Sequence, residues 1–230
     1  MSPTVCHLTY SFEGLDEQLL GFDGASDERC ILIIPPLFDE MNRVRRMLVE
    51  SMRALAGRGI YSVLPDLPGT NESRGSLVQQ DLVTWRTAVS TAAAKIGATH
   101  IASLRGGALI DDGVSVPHWR LAPVKGSTLL KAMLRTRIAG DKEAGIVSTS
   151  EKLMASAQHA PLELAGSIIG AAMLASLEKA EPVITGAVRE VALSEVDGSA
   201  LWLRAEPQDD PAMSAALAAD LERWSASCGG

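Results

Sequence analysis

Arg105 is the residue around which any chemistry of this chain has to be argued. It stands in the run Ser103-Leu104-Arg105-Gly106-Gly107, behind a short apolar stretch and ahead of two glycines, so a permanently charged guanidinium sits at a sharp turn. Nucleophilic acyl transfer needs a nucleophile, a histidine to take its proton, an acid to orient that histidine and N–H groups for the oxyanion. Arg105 is not a nucleophile at any ordinary pH. Ser103 precedes the turn and is expected to point into strand packing. The histidines are His7, His100, His118 and His159, and none falls in residues 205–211, the loop after the last predicted strand. His159 reads as a surface or packing residue of a helical insert, and Glu195 and Asp197, without a base to orient, as turn residues. The same positions suit anion binding better. Arg105, Lys125 and Arg204 each close a predicted strand, on the edge where open α/β sheets receive ligands. A helix predicted from Gly106 would add its N-terminal N–H groups. Glu40 and Asp66 fall near the same edge, and either could neutralise Arg105 internally, because a buried guanidinium must find a carboxylate.

The elements that would hold these residues alternate. After Arg29, residues 30–36 form an unbroken apolar run closed by two prolines, as expected of a strand buried on both faces. Asp39 then reads as the N-cap of an amphipathic helix with Met41, Val44, Leu48, Met52 and Leu55 on one stripe, stopped by Gly57 and Gly59. Residues 61–65 give the next strand. Leu82, Trp85, Val89 and Ile96 mark a second helix ending at Gly97, with Trp85 in the core, and residues 100–104 return to strand. Three more strands are predicted over 119–124, 188–193 and 200–204, and a closing helix over 213–224. Between 125 and 182 the pattern changes to an almost wholly helical insert, carrying Leu129, Met133, Leu153, Ile168, Ile169, Met173 and Leu177, with a polar turn over 140–150. Repeated strand–helix alternation predicts a mostly parallel sheet covered by helices on both faces.

Composition narrows the partners. The 230 residues, 47% hydrophobic and 21% charged, suit one globular domain, 1–230, with the insert as its cap. A net charge of −7 without any Lys/Arg run excludes an extended nucleic-acid footprint. The N-terminus lacks a basic, apolar leader, and the apolar stretch 162–177 is too short and interrupted to span a bilayer, so the expectation is a cytoplasmic protein with no membrane span. Cys6, Cys30 and Cys228 are too scattered for a zinc site or disulfide framework. Without a dinucleotide fingerprint or P-loop, no cofactor and no metal are expected.

Two stretches resemble the α/β-hydrolases. Residues 63–73, with Pro65-Asp66-Leu67-Pro68-Gly69, are similar to the loop written aPDlrGhGxS in that superfamily. Residues 103–107 are similar to its G-x-S-x-G nucleophile elbow, with small flanks kept and Arg105 at the centre. Pro35-Pro36-Leu37-Phe38-Asp39-Glu40-Met41-Asn42, Arg45 and Arg46, Lys125-Gly126, Arg135 and Arg137, and residues 161–166 extend the likeness. Together they resemble the second of the exosortase A system-associated hydrolase families, which occurs with exopolysaccharide gene clusters of Gram-negative bacteria, over roughly 31–181. The resemblance implies an α/β-hydrolase fold with a helical cap and, by the family's name, hydrolysis of esters or thioesters.

Two functional readings follow. In the first, the chain is non-catalytic and binds an acidic small molecule or partner protein under its cap, with Arg105, Gly106, Phe38, Lys125, Arg204, Glu40 and Asp66 as candidate binding residues. In the second it is an esterase or thioesterase using an unconventional nucleophile or water. A third, a scaffold role, would need an apolar cap surface around Ile168, Ile169 and Met173, through which the chain could also oligomerise.

Overall fold

The computed structural model describes residues 4–24, 28–196 and 198–228. Its centre is a seven-stranded sheet made of β1 (Thr4–Phe12), β2 (Leu15–Asp23), β3 (Cys30–Ile34), β4 (Tyr61–Pro65), β5 (His100–Leu104), β6 (His118–Leu121) and β9 (Val188–Val191). The strand order is β1-β2-β4-β3-β5-β6-β9. β1 and β2 run antiparallel, and every pairing from β4 to β9 is parallel. Because the inner strands are covered on both sides, alternate residues feed two cores. Ile31, Ile33, Leu64 and Ala102 meet α1 (Asp39–Ala56) and α6 (Pro211–Ser227). Leu32, Ile34, Val63 and Ile101 meet α2 (Leu82–Ile96) and the cap. Trp85 is fully buried and donates its indole N–H to the Pro68 carbonyl at 2.9 Å.

The cap comprises α3 (Gly126–Glu143), α4 (Ser150–Ser156), a small hairpin of β7 (Leu162–Leu164) and β8 (Ser167–Ile169), and α5 (Ala171–Lys179). This is the α/β architecture expected from the sequence: a mostly parallel sheet, helices on both faces and a cap inserted between β6 and β9.

Several local expectations change. The cap is not wholly helical, because Ala165 and Gly166, both at positive φ, turn 162–169 into a hairpin. Residues 4–23, given no element above, form the β1–β2 hairpin. Asp39 is the first residue of α1 rather than its cap, and Phe38 takes the cap position at φ 58°, ψ −134° without a side-chain cap bond. The predicted strand over 200–204 is a 3₁₀ turn, Leu201–Leu203, so the sheet ends at β9. Finally, no α-helix follows β5. A 3₁₀ turn, Arg105–Leu109, leads by a short loop to β6.

Candidate functional site

Three strands of the parallel sheet end in a strained residue at one edge. Phe38 lies shortly after β3 at φ 58°, Arg105 directly after β5 at φ 53° and Ala122 directly after β6 at φ 45°. A positive φ at a non-glycine residue costs on the order of 1–3 kcal/mol and persists only where the surroundings enforce it. The enforcement at Arg105 is visible in its neighbours. A Cβ on Gly107 would lie 2.7 Å from the Pro35 carbonyl oxygen, and one on Gly106 would lie 2.4 Å from Leu129 Cδ1. Gly107 lets the turn press on the loop after β3, and Gly106 lets α3 of the cap close over it.

The turn aims Arg105 at α1. Its Nε and Nη2 donate to the two Glu40 carboxylate oxygens at 3.2 and 3.1 Å, its Nη1 reaches the Ala122 carbonyl at 3.3 Å, and its guanidinium stacks 4.9 Å from the Trp202 ring centre. Side-chain exposure is 14% for Arg105 and 9% for Glu40. Burial pushes the Glu40 carboxyl above its ordinary value, against the downward pull of Arg105. Beside the pair lies a cleft of about 310 Å³, lined by Leu37, Phe38, Asp39, Glu40 and Arg43 from the α1 side, Leu129, Met133 and Thr136 from α3, and Trp202, Leu203 and Arg204. Arg43 is held by Asp39 at 2.7 Å and by the Trp202 carbonyl at 2.9 Å. The exposed Arg204 guanidinium makes no ion pair among the described residues.

The candidate residues are therefore only partly brought together. Glu40, Phe38 and Arg204 line the cleft, whereas Arg105 does not line it and is linked to it through its pair with Glu40, with Gly106 beneath α3. Arg204 arrives there on a 3₁₀ turn, not at a strand end. Lys125 does not line the cleft; it is an exposed residue paired with Glu181 at 2.7 Å. Asp66 is not the partner of Arg105: it accepts from Asn71 at 2.7 Å, lies 3.6 Å from Arg45 and faces a separate cleft of about 740 Å³. The helix dipole expected at Gly106 falls away, since five residues of 3₁₀ turn supply almost none. His159 is exposed in the turn after α4, and Glu195 is an exposed turn residue bonded to the Ala192 amide. Asp197 lies outside the described residues. Of the apolar cap patch only Ile168 is exposed, at 58%; Ile169 and Met173 are fully buried.

Ser103 points away from the cleft, as expected. It is fully buried and donates to Asp111 at 2.7 Å. Asp111 also takes a bidentate pair from Arg120, at 2.9 and 2.6 Å, and lies 3.5 Å from His118 Nδ1. Desolvation raises the Asp111 carboxyl, but the nearby His118 and the bonds from Arg120 and Ser103 together outweigh it and hold the group below its ordinary value. All four side chains are fully buried, so this network is structural. Sequence reasoning missed it, although an arginine inside the short strand His118–Leu121 was a readable signal. It also missed Arg43 and Trp202, whose roles depend on where the 3₁₀ turn places them.

Neither a protein-family model nor a curated relative matches the chain. Among solved structures it is similar to an epoxide hydrolase from Vigna radiata (14% identity, TM-score 0.43), over 53% of this chain and 40% of that one. A laboratory-evolved variant of potato epoxide hydrolase matches at 19% identity and TM-score 0.43, over 53% and 40% of the two chains. A predicted CIB-like hydrolase from Thermoplasma acidophilum matches at 17% identity and TM-score 0.43, over 64% and 84%. The chain thus spans less than half the length of the two epoxide hydrolases.

Proposed function

We propose that this chain is a non-catalytic protein of the α/β-hydrolase fold that binds an acidic small molecule, or an acidic group of a partner protein, in the cleft between α1, α3 and the Trp202–Arg204 segment. The observation that carries the reading is Arg105. A guanidinium fills the strained turn after β5, paired with Glu40, where the fold would present a nucleophile, and no histidine lines the cleft beside it. Arg204 is the cation an incoming carboxylate meets first, at the mouth. Arg105 is the seated anchor: a ligand carboxylate displaces Glu40 from it while Glu40, already held high by burial, takes a proton. Trp202 and Phe38 supply apolar contact for the remainder of the ligand. The link to exopolysaccharide systems rests on the motif resemblance and would place uronic acids among the ligands to try.

The test is a thermal-shift panel of mono- and dicarboxylates and uronic acids on the parent, Arg105→Ala and Arg204→Ala, run beside turnover assays with p-nitrophenyl esters and acyl-CoA thioesters. The expected result is a carboxylate that raises the parent Tm, more strongly at pH 5 than at pH 8, and leaves Arg105→Ala unmoved. Ester or thioester turnover abolished by a single substitution overturns the proposal in favour of an esterase or thioesterase.

A further inference from the structure

The sheet has two edges, and they are built differently. β9 is four residues long and carries Arg189 and Glu190; Arg189 pairs with Asp220 at 3.1 Å. Short, charged edges resist pairing with other chains. β1 has none of these devices. It runs for nine residues, Thr4–Phe12, without Lys, Arg, Asp, Glu or Pro, and exposes Val5 (46%) and Leu8 (40%).

The register shows which backbone groups that edge offers. β1 and β2 are joined by the two-residue loop Glu13-Gly14, with both residues at positive φ, so Phe12 and Leu15 close the hairpin as a hydrogen-bonded pair. Hydrogen-bonded and open pairs alternate along an antiparallel ladder. Tyr10, Leu8, Cys6 and Thr4 therefore turn their backbone groups inward to β2, and Ser11, Thr9, His7 and Val5 turn theirs outward. An independent contact agrees: Gln18, opposite Thr9, gives its carbonyl to the Asp66 amide beyond β4, away from β1.

We infer that β1 is a self-association edge, on which two copies of the chain pair antiparallel about a twofold axis at Leu8. Among twofold registers centred on Leu8 or a neighbouring residue, only this one uses every outward group. Val5 meets the second copy's Ser11, and His7 meets its Thr9, each with two backbone hydrogen bonds. Leu8 packs on Leu8, and Cys6 lies opposite Tyr10. Centring on His7 instead would strand Ser11 and set His7 against itself; centring on Thr9 would strand Val5. β1 carries no Lys, Arg, Asp or Glu, and its His7 lies opposite Thr9, so the twofold places no like charges opposite one another. The cap is not involved, so ligand binding and association are separable.

Sedimentation velocity on the purified chain tests this, with Thr9→Pro and with Leu8→Cys made in a Cys6→Ser/Cys228→Ser background. Proline is tolerated at an edge position whose N–H faces solvent, so Thr9→Pro keeps the hairpin and removes one outward donor. The expected result is a parent of twice the chain mass, a twofold lower mass for Thr9→Pro with unchanged circular dichroism, and a disulfide-linked dimer of Leu8→Cys. Opposed open-pair residues have Cα atoms about 4.5 Å apart, within disulfide reach. A monomeric parent, a dimer that survives in folded Thr9→Pro, or a dimer in which Leu8→Cys does not crosslink would each overturn the inference.

Discussion

Two arginine–carboxylate pairs lie almost side by side in this molecule, and they have opposite characters. Arg120, next to Ser103 in the sheet register, holds Asp111 with both partners at 0% side-chain exposure. Two residues beyond Ser103, directly after β5, Arg105 holds Glu40 at the open end of the sheet, with a cleft beside Glu40. The chemistry of the contact is the same in each; the access differs. In the closed pair, separation leaves a charge in the core without solvent. In the open pair either charge can find water, a ligand or a proton. The first can only stabilise, whereas the second can exchange.

The largest expected effect breaks the closed pair. Asp111→Ala strands the Arg120 guanidinium and should cost about 3–5 kcal/mol in urea denaturation. A loss under about 1 kcal/mol would mean that Glu190, 3.9 Å from Arg120, takes over, and that the two pairs are less different than they look. Arg105→Ala, by contrast, leaves a carboxyl that can protonate, and should cost about 1–3 kcal/mol. Replacing both members of the open pair, Arg105→Met with Glu40→Leu, should be close to neutral for stability and should abolish carboxylate binding.

The pairs also respond oppositely to pH. The Asp111 carboxyl lies lower folded than unfolded, so its contribution is present above the ordinary aspartate value of about 4 and lost as pH falls through its lowered value. Glu40 lies higher folded than unfolded, so its contribution is present at low pH and declines as pH rises from about 4.3 through its raised value. Denaturation midpoints measured from pH 3 to 8 should thus show a flatter acid limb in Asp111→Asn and a flatter mid-range decline in Glu40→Gln. The smallest effect is expected outside both pairs: Lys125→Ala, removing an exposed pair with Glu181, should change stability by less than about 0.5 kcal/mol and leave carboxylate binding unchanged, as measured by thermal shift.

Much of this was readable before any coordinates. Apolar runs closed by proline or glycine determined β3, β4 and β5 and the helices between them, because a strand buried on both faces has no polar residues to spare. The unusual residue at the turn after β5 was equally plain, since Gly106-Gly107 announces a close approach whatever precedes it. The run 200–204 misled, because Leu201 and Trp202 are apolar for a local reason, packing a 3₁₀ turn into the core beside α1, and period alone does not separate that from a strand.

Sequence by itself determined the layers of this protein, the place of the cap and the charge at the end of β5, all of which follow from local patterns of burial and turn chemistry. Which carboxylate that charge would meet was a different matter. Glu40 and Asp66 were equal candidates along the chain, and only packing chose, by seating α1 so that Glu40 faces Arg105 and by turning Asp66 toward Asn71 and Arg45. A pairing between residues 65 positions apart depends on how two elements are set across a core, and no local pattern records that.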